Sequence, residues 1–177
     1  MAIPTVPNTP VNPNILHPNK FQVSFAALPT VTYWAQSVNI PGINLGEVPR
    51  PTPFIDLWSP GEKLNMNPFS MTFTVDEDLT GWQEIFNWMV GTTFPENFNQ
   101  YKNLDRRIGA GLTTMPQFSD AMLIIHDSKQ NPKIRVSFYN CFPTSLSDIL
   151  LSSTSDPESL ITADVTFRFE FYKFTKI

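Results

Sequence analysis

The sequence predicts a mainly β protein, an antiparallel β-sandwich or small barrel with one flanking α-helix. Apolar and polar residues alternate in several stretches, most fully over Ala163–Phe171, and period two marks a half-buried strand. Residues 79–90 alone repeat apolar residues at helical spacing. The chain holds 17 prolines but only 7 glycines in 177 residues, roughly twice the usual ~5% share of proline. Much of that proline lies in the first 70 residues, where it removes donors and clashes with a preceding helical turn. The length suits one domain with an extension and suffices for a real core.

Residues 1–19 form an extended N-terminal arm with five prolines and four asparagines. Such a segment cannot recover its ordering entropy alone, so it is either disordered or laid against another subunit. A single domain then spans 20–177. Phe21, Val23 and Phe25 point one way in its first strand, and Gln22 and Ser24 the other. Pro29-Thr30 turns the chain into a second strand, Val31–Ile40, and Pro41-Gly42 turns it again. Residues 43–66 read as a protruding β-arm with proline-bounded strands near 43–48 and 53–58.

Phe69, Met71, Phe73 and Val75 alternate with Ser70, Thr72, Thr74 and Asp76, which makes a half-buried strand. It runs through Asp76-Glu77-Asp78 into the helix at 79–90. There Trp82, Ile85, Phe86 and Met89 fall at i, i+3, i+4 and i+7, one apolar stripe expected to face the core. Thr80 with Gln83 has the spacing of a capping box, upstream carboxylates suit the helix's positive end, and Gly91 is its expected stop. Residues 91–118, rich in Asn, Gln, Gly and Pro, read as a long loop. Strands resume at Ala121–His126, with a turn at Ser128–Pro132, and at Ile134, Val136 and Phe138. The stretch from Phe142-Pro143 to about Glu158 reads as strand and loop. One final strand sets Ala163, Val165, Phe167, Phe169 and Phe171 against Asp164, Thr166, Arg168 and Glu170.

Catalysis needs a convergent nucleophile, base and orienter, or clustered ligands. The chain has two histidines, His17 in the arm and His126 at a strand end beside a turn, from which neither a triad nor a metal site is readily assembled. Asp76-Glu77-Asp78 lacks the alternating ligands and glycine of a calcium loop. Gly109 and Gly111 lack the strand and Lys-Ser/Thr of a phosphate cradle, and Cys141 reads as a buried small hydrophobe. No catalytic, cofactor-binding or metal-binding residue is therefore expected, and the chain reads as no enzyme. The formal charge is −4, and Arg106-Arg107 is the only adjacent cationic pair, which disfavours gripping of nucleic acid. The lone cysteine forbids an internal disulfide. Met1–Pro4 shows neither a basic region nor an apolar core, and no apolar run approaches a membrane span. A cytoplasm-like compartment and no membrane insertion are expected.

Phe54, Ile55, Leu57 and Trp58 cluster on an arm otherwise full of proline and charge. They either fold back on their own core or enter a neighbour's surface, since exposed apolar patches usually mark interfaces. Edges of a small β-fold also need covering, and pairing with another copy does that.

The order of these pieces resembles the tail tube proteins of contractile-tailed bacteriophages and the related baseplate tube proteins. It runs N-K-F-Q-V-S-F, Ser37-Val38-Asn39-Ile40-Pro41-Gly42, the proline-rich arm, F-S-M-T-F-T-V-D-E-D, W-Q-E-I-F-N-W and A-D-V-T-F-R-F-E-F-Y. The resemblance covers about residues 19–174. The acidic junction into an aromatic helix and the V-T-F-x-F-x-F strand are its most specific parts. The long loop and the proline-heavy start are less typical, and leave open a tube subunit or a baseplate relative that starts the tube.

The resemblance implies hexameric rings in which strands of neighbouring subunits join into one ring-wide barrel. Rings stack into a tube that a contracting sheath drives through the host envelope, and DNA transits the lumen without specific binding. The implied partners are further copies of the chain, the tail sheath protein, and the baseplate tube and tail terminator proteins. The implied location is the virion tail, assembled in the host cytoplasm. A tube subunit is the first reading, and a baseplate initiator or tail-terminator ring the second. The tube of a phage-derived injection or secretion system is a close relative. A monomeric barrel for a small ligand is the reading from another class; it lacks convergent polar groups. Lumen strands should present hydroxyls and carboxylates with few Lys or Arg, because cations would hold passing phosphates. The polar faces of 20–27 and 31–40, or of 134–142, are candidates for that wall.

Overall fold

A computed structural model describes residues 14–93, 95–96, 118–154 and 160–177. Most of the arm at 1–19 and of the loop at 91–118 therefore lies outside the described residues. The elements run β1 (Phe21–Phe25), α1 (Pro29–Tyr33), β2 (Ala35–Val38), β3 (Ile43–Pro51), β4 (Asp56–Met66), β5 (Phe69–Thr74) and α2 (Thr80–Thr93). Then follow β6 (Ser119–His126), β7 (Pro132–Leu146), β8 (Thr162–Arg168) and β9 (Phe171–Lys176). All strand pairings are antiparallel.

Two layers share the long strand β7. Its first half pairs with β6 on one side and β9 on the other, and β6 pairs in turn with β1. Its last residues cross to the second layer and pair with β8, which continues through β5 to β2. The crossing falls at Asn140, whose φ of 54° lies in the left-handed region, where asparagine is tolerated. The Asp120 carboxylate accepts the Asn140 N–H at 3.1 Å and holds the bend.

The inward sets of both layers meet in one core. Val23, Phe25, Leu123, Val136 and Phe138 from the first layer are buried against Phe69, Met71, Phe73, Ala163, Val165 and Phe167 from the second. Phe69 stands 4.7 Å from Phe138 and Phe25 stands 4.8 Å from Phe167, centroid to centroid. At ~2 kcal/mol or more per fully buried large side chain, this aromatic seam is the main stabiliser of the sandwich.

Several local expectations change. Residues 31–33 are not the start of the second strand: with Pro29-Thr30 they form the helix α1, and β2 covers only Ala35–Val38. Proline suits the first helical position, where its missing N–H costs nothing, and Thr32 donates to the Leu28 carbonyl through both N–H and hydroxyl. Val31 is buried, whereas Tyr33 is exposed. The final strand is not continuous either. β8 ends at Arg168 and β9 begins at Phe171, because the Glu170 N–H turns to the Tyr139 carbonyl and moves the chain from the second layer to the first.

The helix α2 runs past Gly91 to Thr93, and the capping box does not form. Asp76 caps the helix instead, its carboxylate accepting the N–H groups of Thr80 and Gly81 at 3.2 and 3.3 Å.

Candidate assembly surfaces

The strands β3 and β4 pair only with each other, as a separate two-stranded sheet. Proline explains why this arm leaves the main sheet: Pro49, Pro51 and Pro60 lack ladder donors and suit edges. Gly46 and Gly61 cross where the register slips between Leu45 and Glu47. A Cβ on Gly61 would stand 2.7 Å from the Gly46 carbonyl oxygen, so this close approach requires glycine. At the tip, Thr52 and Ile55 bond across Pro53-Phe54. The turn thrusts Phe54 into solvent, 97% exposed, with Ile55 at 65%, Leu57 at 53% and Trp58 at 62%. The structure does not fold these four residues back on their own core.

The helix stripe is placed differently from expectation. Ile85 is buried and Trp82 and Met89 are half-buried against the core, but Phe86 is exposed. The buried line is Gly81, Ile85 and Trp88, displaced around the helix from the aromatic stripe. Gly81 causes the displacement. A Cβ there would meet Val31 at 3.5 Å and Phe73 at 3.7 Å, so α2 lies close on α1 and β5 through its glycine face. Phe86 instead stacks on Trp82 at 5.3 Å, and the Trp82 indole donates to the Ser147 carbonyl at 3.2 Å.

The outer faces of the two layers differ in chemistry. On β2, β5 and β8 the cross-strand rungs are Ser70 with Thr166, Thr72 with Asp164 and Thr74 with Thr162. The Thr72 hydroxyl donates to Asp164 at 2.6 Å, and the Gln36 amide donates to Thr74 at 2.7 Å. Arg168 closes one end and donates to the Met66 carbonyl. The outer rungs of the first layer carry Gln22, Ile124, Arg135 and Thr175, then Ser24, Met122, Ser137 and Lys173. The Lys173 ammonium lies over Tyr139 and Phe171 at 5.8 and 5.9 Å. One face is thus a hydroxyl ladder, and the other is mixed, with Arg135 and Lys173.

An apolar groove lies where β5 ends, lined by Leu79, Ile149, Leu151, Leu160 and Ile161. Sequence reading missed it, although the leucines and isoleucines of 149–161 stand out among serines and aspartates.

Among the described residues, no three of His, Cys, Asp and Glu are placed to hold a metal ion. His17 and His126 do line one open recess of about 200 Å³ beside Asp127 and Lys133. Burial first, and then the Asp120 carboxylate, push the Cys141 thiol up to about 12, which removes its nucleophilic form at neutral pH. Desolvation pushes the Asp76 carboxyl up, but hydrogen bonds from the Thr80 hydroxyl and the Gly81 and Thr80 N–H groups outweigh it and hold the carboxyl below 3.8. No described helix is long and apolar enough to cross a membrane.

Comparison with known proteins agrees with this picture of a structural subunit. The family model described as phage tail tube protein matches residues 16–175. The chain is 27% identical to the tail tube terminator protein of Enterobacteria phage T4 over 145 residues, 80% of this chain and 77% of that relative. Its fold is similar to the tube-terminating cap of the anti-feeding prophage, with a TM-score of 0.59 at 13% identity over 99% of this chain and 100% of that one. It is also similar to the sheath/tube terminator of the extracellular contractile injection system PVC, with a TM-score of 0.58 at 13% identity over 92% and 97% of the two chains.

Proposed function

This chain belongs to the phage tail tube protein family, and we propose that it forms the ring that terminates the tube of a contractile tail. The coarser statement, a structural tube-like component of a contractile injection device and no member of an enzyme family, follows from the family and its relatives. The terminator role is our reading, and it stands ahead of the main tube subunit because the curated relative is itself a tube terminator. The geometric observation that carries ring formation is the β3–β4 arm, whose large apolar side chains stand clear of their own core. Soluble chains rarely leave such a patch uncovered, and a neighbouring copy covers it without cost to the monomer's own packing.

In this reading, six copies close into a ring, the ring seats on the last ring of the tube, and the sheath's end gathers around it. DNA passes through the opening without being held. The hydroxyl ladder on β2, β5 and β8 is the natural channel wall. Ser70, Thr72, Thr74, Thr162 and Thr166 keep it wet, and Asp164 repels phosphate weakly. The face over 134–142 fits less well, because Arg135 and Lys173 share it. The assembly belongs to the tail of a phage or phage-like particle and is built in the host cytoplasm.

A main tube subunit is the second reading, favoured by the family description and by likeness to the PVC sheath-tube complex at a TM-score of 0.56. Negative-stain microscopy of the purified chain separates the two. A terminator gives single rings that stop short of tubes, whereas a tube subunit gives long stacks. Monomers at every concentration overturn both.

A further inference from the structure

Two polar atoms on α2, Glu84 Oε2 and Trp88 Nε1, are sealed from solvent and find no hydrogen-bond partner among the described residues. Protein interiors seldom leave such atoms unpaired, because nothing replaces the hydration they give up. The two are opposite in kind: an indole N–H donates, and a carboxylate oxygen accepts. They also share one side of the helix, since residues four apart stand one above the other with Cβ atoms about 5–6 Å apart. Helical side chains lean towards the N-terminus, which carries the Trp88 ring over the turn that bears Glu84.

Other contacts hold both groups where they are. The Thr30 hydroxyl on α1 donates to Glu84 Oε1 at 2.8 Å, which leaves Oε2 as the oxygen without a partner. Trp88 is 3% exposed, and its ring centroid stands 6.3 Å from that of Phe167 in the second layer. Ile85 beside them is fully buried, so turning the helix to wet either group would expose an apolar side chain. The indole and the carboxylate do not bond each other directly.

We infer that one resident water molecule bridges Glu84 and Trp88, accepting from the indole Nε1–H and donating to Glu84 Oε2. The chemistry of the pair selects this ligand. A cation would face the indole N–H and an anion the carboxylate, whereas a small neutral molecule that both donates and accepts satisfies the two at once. Waters held by otherwise unpaired polar groups are ordinary parts of protein interiors. The chain of bonds then runs from Thr30 through Glu84 and the water to Trp88, and ties α1 through α2 to the core. Only the rotation of α2 that puts Trp88 inside and leaves Phe86 outside satisfies it. The bridge thus adds a polar reason for the displaced buried face that Gly81 permits.

A crystal structure of the full chain tests the bridge directly. It should show an ordered oxygen within about 3.2 Å of both atoms. A direct bond between Trp88 Nε1 and Glu84 Oε2, or an empty gap between them, overturns the inference. Denaturation of Trp88→Phe, Glu84→Leu and the double variant tests the same link in solution. Each single change leaves the water short of one partner, whereas the double change removes both polar groups together. The second change should therefore raise the unfolding constant at least about fivefold less when the first is already present. The Thr30 bond is lost with Glu84 in both arms of the comparison and cancels. Purely additive losses overturn the inference as well.

Discussion

Phe86 and Trp88 are close on α2, yet one faces solvent and the other lies in the core. Removing the Trp88 ring should cost about 3–5 kcal/mol, as large core truncations do. Phe86→Ala should cost only about 1 kcal/mol, the scale of its stacking on Trp82. Chemical denaturation of the two variants measures both, and an equal loss would return Phe86 to the core. Asp76 acts at the same scale. Its folded carboxyl titrates below 3.8, so its contribution is complete above that value and is lost as pH falls through the lower folded value. Asp76→Ala should therefore lose about 1 kcal/mol at neutral pH, and the gap from the parent should close on strong acidification. A gap independent of pH would show that the cap is not ionic. Cys141, raised to about 12 by burial, should resist thiol reagents in the native protein and react once the protein unfolds. Rapid native labelling would contradict its burial.

Strands built on clean alternation were legible from the residues. The runs over 21–25, 69–74, 121–126 and 134–138 became β1, β5, β6 and part of β7, and in β1, β5 and β7 the expected apolar sets face inward. What failed was legible only in three dimensions. The period-two run to Phe171 looks continuous in sequence, but its phase shifts where the chain changes neighbours at Phe169-Glu170: Phe169 packs on the core, whereas Phe171 pairs with Tyr139 on the outer side and Tyr172, opposite Phe138, takes the inward place. Residues 31–33 read as the start of a strand, but Pro29 and the Leu28–Thr32 bonds draw them into one helical turn. The aromatic stripe on α2 misled because glycines, silent in any hydrophobic pattern, set the buried face. The arm makes a test at this scale. Gly61→Ala brings a Cβ against the Gly46 backbone, so the arm must splay and its tip point elsewhere. Assembly should drop while the melting temperature of the sandwich stays put. Loss of the fold instead would mean that the arm is part of the core's stability.

At the scale of the molecule, the chain has finished one task and left another open. Its two layers bury their inward faces against each other, and Phe69, Phe73, Phe138 and Phe167 are sealed from solvent. Among the described residues, an apolar arm and an apolar groove stay exposed and no strand pairs with the outer edges of β1, β2 and β9. Monomers pair or blunt such edges, whereas subunits keep them for their neighbours. The arm's apolar cluster was legible in the sequence because four large side chains crowd a proline-rich stretch. The groove was not, because its apolar walls come from residues 75, 79, 149, 151, 160 and 161, which only the fold brings together. The charge of −4 per chain suits the proposed ring, whose opening would repel rather than hold DNA. The most direct test of this account is the native mass of the purified full-length chain across concentration. A terminating ring predicts a discrete species at six times the chain mass of 20.1 kDa, lost on Trp58→Ala while that variant stays folded. A single 20.1 kDa species at every concentration would contradict it.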